Sequence, residues 1–160
     1  MVKLSAMGGN PDWVFYRDAK PNEAEVMPRL VAEFPGFRPR WEKHLEFWEG
    51  KPAGSYNDIA EFAHFVVEDL YPNHNTADLQ RAFDLIEHWL VNGNPNLREL
   101  IAIGFLEDVQ NVASWQTFGR EAFIPFLGPQ SRQAWNEIER IWAGKTSLMD
   151  VDRDEAKKRE

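Results

Sequence analysis

The 160-residue chain contains no cysteine, which excludes disulfides, thiolate metal sites and a cysteine nucleophile together. It also lacks any apolar run long enough to cross a bilayer, the longest strongly apolar stretch being only Leu100 to Leu106. Its first residues, MVKLSAMGGN, have no apolar core of signal-peptide length, so a cytoplasmic protein without membrane contact is expected. Missing as well are a glycine-rich phosphate loop, a serine in a nucleophile elbow and an HExxH pair. The four histidines include no pair at i, i+4. Glu61, His64 and Glu68 share one helical face, but such faces arise freely on polar helix surfaces. Neither a metal nor a cofactor is expected, and no catalytic residue is assigned.

Bases are scarce in one segment only. Residues 1–57, 112–144 and 145–160 each balance acids against bases. Residues 58–111 hold Asp58, Glu61, Glu68, Asp69, Asp78, Asp84, Glu87, Glu99, Glu107 and Asp108 against Arg81 and Arg98, which accounts for the whole net charge of −8. Nucleic-acid binding needs a basic footprint that is absent here. A basic protein partner fits on steering grounds, and a merely solvated acidic face is the plain alternative.

The apolar fraction of 43% and the length suit one folded domain. Punctuation divides the chain into helices, and no segment reads as a strand. A first helix runs from Pro21-Asn22 to Phe34, with a kink or break expected at Pro28. A second runs from Arg38 to Glu49 and stops at Gly50; a third spans Asn57 to Tyr71. Asn75 or Thr76 caps a fourth that closes at Gly93, and Asn94-Pro95 opens a fifth. Ser114 offers a cap for a sixth, broken around Pro125 to Pro129, and a seventh extends from about Gln130 to Ala143 and ends at Gly144. The expected architecture is an all-α compact array of six or seven helices over 1–144, with HEAT-like stacked hairpins as one possible arrangement. Residues 145–160 read as a flexible charged tail.

At 100° per residue, Ile59, Phe62, Ala63, Val66, Val67 and Leu70 form the buried arc of the third helix. Leu79, Ala82, Phe83, Leu85, Ile86, Trp89 and Leu90 do so in the fourth. The fifth is apolar almost all round, Ile103 included, and should be the central helix. Gly104 within it implies close approach of another helix. Glu107 and Asp108 lie in its C-terminal half, with Asn111 on the same side and Trp115 just beyond. Carboxylates on so apolar a helix need partners, whether structural or a ligand. The acids facing away from the core, Glu61, Glu68, Asp69, Asp84 and Glu87, are the candidate partner-binding set.

Three segments carry a resemblance: Gly104 to Gln110 (GFLEDVQ), Phe62 to Val67 (FAHFVV) and the Trp-rich stretch Trp135 to Trp142. Over about residues 30–143 the chain resembles a family of small, functionally uncharacterised bacterial all-helical proteins. Acidic helical proteins of this kind are similar to immunity proteins that neutralise toxins. The resemblance therefore implies an inhibitor of a basic toxin or another bacterial partner, and it transfers no catalytic residue. A small enzyme or ligand binder using Glu107 and Asp108 in an apolar pocket near Trp115 is the first alternative. A structural homo-oligomer is the second.

Overall fold

The computed structural model describes residues 20–159, with side chains through Gly144; Trp13 and the side chains of the expected tail lie outside the described residues. Among the described residues the protein is all-α, with no strand. The helices are α1 (Val26–Glu33), α2 (Arg38–Phe47), α3 (Ser55–Phe65), α4 (Thr76–Asn92), α5 (Pro95–Glu99), α6 (Glu107–Ser114) and α7 (Pro129–Arg159). Two π-helical stretches, Val66–Leu70 and Leu100–Leu106, continue α3 and join α5 to α6. Short 3-10 turns occupy Glu23–Glu25, Pro35–Phe37 and Arg120–Phe126.

The caps explain the starts. Asn22 accepts from the Ala24 N–H at 2.9 Å, Asn75 from Asp78 at 3.2 Å and Asn94 from Leu97 at 2.9 Å. Pro95 follows Asn94 at the first helical position, where its missing N–H breaks no bond. Pro28 falls in the first turn of α1 for the same reason, so α1 itself is unbroken beyond the 3-10 entry at Glu23–Glu25. The expected sixth helix does not form. Ser114 instead ends α6, its hydroxyl donating back to the Asn111 carbonyl at 2.6 Å, and Pro125 holds the following segment to a 3-10 turn. α7 runs past Gly144 to Arg159, because one glycine costs a helix only about 1 kcal/mol.

Both expected arcs are buried in full: every residue predicted for the third and fourth helices lies in the core. The core centres on an aromatic cluster in which Phe62 contacts Phe34, Phe37, Phe65 and Phe105 at centroid distances of 5.2–5.8 Å. The rod from Pro95 to Ser114 runs through the middle, burying Leu97, Leu100, Ile101, Phe105, Leu106, Val109 and Val112. It is not enclosed all round, as the sequence suggested. Ile103 is 51% exposed, in line with exposed Glu99 and half-buried Glu107 and Asn111. That line recurs every four residues rather than 3.6. The π stretch underwinds the rod, keeping one solvent stripe straight and turning Ile103 onto it. Gly104 lies buried beside α3, where an added Cβ would come within 3.2 Å of Ile59 and 3.3 Å of Tyr56.

Candidate functional site

The densest polar constellation joins α2 to α3. His44 and Asp58 are both buried, and the His44 Nε2–H donates to Asp58 Oδ1 at 2.8 Å. The Ala53 N–H donates to the same oxygen at 2.9 Å. A buried carboxylate is tolerated only with such partners, and its place in the first turn of α3 adds the favourable end of the helix dipole. Trp41 stacks on the His44 ring at 5.4 Å, fixing the imidazole plane. On the outer side, His44 Nδ1 lies 3.5 Å from Glu61 Oε1. One turn further along, Arg40 reaches Glu68 at 3.3 Å and Asp69 at 3.2 Å, and His64 Nδ1 lies 3.0 Å from Glu68. The Arg40 guanidinium is resisted by its burial, but the Asp69 hydrogen bond and the charges of Asp69, Glu68 and Glu61 outweigh that and hold it firmly protonated.

The His44–Asp58 pair separates two concavities. Outside it lies an open groove of about 520 Å³ between α2 and α3, walled by His44, Glu61, His64, Phe47 and Trp48 among others. Inside it lies an apolar cavity of about 390 Å³ to which Asp58 contributes a wall. Phe47 and Trp48 form the rim of the groove. They meet edge to face at 5.5 Å, yet Phe47 is 79% and Trp48 44% exposed. Trp89 and Trp135, by contrast, are fully buried.

The five acids singled out in the sequence fall in three places. Glu61, Glu68 and Asp69 line the α2–α3 edge and already face His44, His64 and Arg40. Asp84 stands in a shallow cleft with Arg29, Glu33 and Arg81, taking a hydrogen bond from Gln80 at 2.8 Å. Glu87 is turned to the opposite task of holding α7. Its carboxylate accepts the backbone N–H groups of Gln130 at 2.6 Å and Ser131 at 3.0 Å, at the start of that helix. Gly128 leaves room for it, since a Cβ there would come 2.6 Å from Glu87 Oε1.

Glu107, Asp108 and Asn111 are half-buried on and beside the solvent stripe of the rod, and Trp115 is 72% exposed at the end of α6. Neither carboxylate lines the groove or the apolar cavity. Burial pushes the Asp108 carboxyl up to about 6, the neighbouring Glu107 charge adding to the rise and His64 opposing it. Among the described residues no group of His, Asp and Glu is arranged to hold a metal ion. No described helix is long and apolar enough to cross a membrane.

A family described as a domain of unknown function (DUF7674) matches residues 27–143. The chain belongs to this family. No curated protein and no solved structure matches it significantly. The DUF7674 span takes in the His44–Asp58 pair, the groove and the rod, and leaves Glu23 just outside. Within it the GFLEDVQ segment has structural work. Gly104 admits α3, Phe105 and Leu106 fill the core, and the Gln110 side-chain amide donates to the Trp135 carbonyl at 3.1 Å, tying the rod to α7. Sequence reasoning missed the His44–Asp58 pair and the exposure of Phe47 and Trp48. His44 and Asp58 stand 14 residues apart across a loop, outside any helical spacing that would bring them to notice.

Proposed function

We propose that this chain is a protein-binding module that neutralises a basic partner, in the manner of the immunity proteins its sequence resembles. The module acts by covering: an acidic surface steers the partner, and an aromatic edge holds it. The observation that carries the reading is the Phe47–Trp48 pair on the rim of the α2–α3 groove. Large aromatic side chains left in water are costly, and at interfaces they supply the buried anchors that dominate affinity. Glu61 walls the same groove, Glu68 and Asp69 pair with Arg40 on that wall, and the whole net charge of −8 arises in residues 58–111. The alternative of acid–base catalysis by Glu107 and Asp108 has less support, since neither wall described above includes them.

The test is a double substitution, Phe47→Ala with Trp48→Ala, assayed against basic proteins encoded beside this chain. Both side chains are exposed, so the melting curve should move little, by about 0.5 kcal/mol or less. Affinity for the partner should fall by about 2 kcal/mol or more. A partner bound equally well by the double variant would place the interface elsewhere.

A further inference from the structure

Two adjoining cavities on the inner side of the His44–Asp58 pair share Glu23 as a wall. The larger, about 390 Å³, is faced by Val26, Met27, Val31, Trp41 and Leu100, with Asp58 also contributing. The smaller, about 320 Å³, is faced by Tyr56 and Leu100, with Glu99 as a second carboxylate. Glu23 lines both, Asp58 only the larger and Glu99 only the smaller, and neither wall includes a lysine, arginine or histidine. Glu99 makes itself felt: the Tyr56 hydroxyl is pushed above its ordinary range by burial first and by the Glu99 charge second.

Glu23 is the unusual group. Its Oε2 is buried and has no hydrogen-bond partner, and none of the ion pairs among the described residues includes it. A carboxylate oxygen withdrawn from water without a donor is unfavourable. Asp58 is better provided, since His44 and the Ala53 N–H both meet its Oδ1. Apolar walls, an indole and the Glu23 carboxylate, whose Oε2 has no partner, together make a complementary surface for one chemical class, a cation with a hydrocarbon body.

We propose that this cavity binds a small organic cation of the alkylammonium class. The charged head meets Glu23, near Asp58 and the Trp41 ring, and the hydrocarbon body lies against Met27, Val31 and Leu100. A neutral alcohol of the same length would fill the apolar part and leave the carboxylate uncompensated. A carboxylate of that length would be repelled. The site lies on the other side of the His44–Asp58 pair from the Phe47–Trp48 edge, so it stands or falls independently of the proposed partner interface.

The experiment is calorimetric titration of the full chain with hexylammonium, 1-hexanol and hexanoate, with amide chemical shifts recorded in parallel. Hexylammonium should bind about tenfold or more tighter than hexanol, with hexanoate the weakest. The shifts should centre on Val26, Met27 and Val31. Glu23→Gln should lower hexylammonium affinity about tenfold while changing hexanol binding less than about twofold. Met27→Trp, which fills the cavity, should abolish both. Equal affinity for hexylammonium and hexanol would overturn the proposal. So would shifts confined to the acidic outer surface, or no saturable binding up to about 10 mM. The ligand comparison is made on the unaltered chain, so it decides the matter even where a variant folds poorly.

Discussion

Glu87→Ala is expected to destabilise the domain by about 1–2 kcal/mol, a loss of the size seen when a helix N-cap is removed. The side chain sits outside the apolar arc of α4, and helical phase alone marks it as a free surface charge. Only the packing of α7 across α4 brings the backbone N–H groups of Gln130 and Ser131 onto its carboxylate. Chemical denaturation of Glu87→Ala, with Asp84→Asn as the control that loses an exposed charge, checks the assignment; equal midpoints would refute it. Asp108 supplies a pH-dependent counterpart. Its folded-state carboxyl titrates at about 6 against an ordinary value of 3.8, chiefly because burial disfavours the charged form. The folded state therefore binds the proton more tightly, and stability from this group is present at low pH and lost as pH rises through about 6. Asp108→Asn should raise stability at pH 7.5, by something on the order of 1 kcal/mol once partial exposure is discounted. That advantage should shrink as pH falls from about 6 towards 3.8. Melting temperatures of the two proteins across that range measure it, and a constant gap would contradict the assigned cause.

At the scale of elements, Gly104 tests the packing of the rod. A Cβ there would stand 3.2 Å from Ile59 and from Leu100, both buried, and 3.3 Å from Tyr56, which is 48% exposed and free to give way. Alanine gains about 1 kcal/mol in helix propensity but must displace two core side chains, so Gly104→Ala should change stability little. Gly104→Leu has no such room and should cost about 1–3 kcal/mol or more. Thermal unfolding of the pair separates the two outcomes, and a leucine variant as stable as the native chain would remove the close-approach account. The glycine's role could be inferred from sequence because a residue without a side chain stood amid large apolar neighbours. The arc of α4 and that of α3 with its continuation to Leu70 could be inferred from 3.6-residue periodicity, the single π turn at Val66–Leu70 leaving Val66, Val67 and Leu70 on the buried face. Ile103 could not. Its exposure follows from a π-helical register between α5 and α6, and periodicity at 100° per residue carries no sign of that change. Ser114 misled for a related reason: a serine caps equally well in sequence whether a helix begins after it or ends at it.

At the scale of the molecule, charge segregation is fully legible in sequence, whereas the surface it forms is not. The ten acids of residues 58–111 are one block on paper. Folding sends Glu61, Glu68 and Asp69 to the α2–α3 edge, Asp84 to a separate cleft and Glu87 to the base of α7. The aromatic edge was hidden for another reason. Phe47 and Trp48 look like core residues until α2 ends at Phe47 and the left-handed pair Glu49 and Gly50 turns the chain away. Steering by the acids and anchoring by the aromatics make different kinetic predictions. The most direct measurement is the association rate of the chain with its basic partner, by stopped flow across a salt series. Screening shortens to about 8 Å at physiological ionic strength, so the rate should fall about tenfold or more from low salt to that condition. Glu61→Gln, Glu68→Gln and Asp84→Asn together, with Glu87 left in place to hold α7, should slow association and flatten the salt dependence. Phe47→Ala with Trp48→Ala should instead speed dissociation and leave the salt slope unchanged. An association rate indifferent to salt and to the triple change would contradict electrostatic capture of a basic partner.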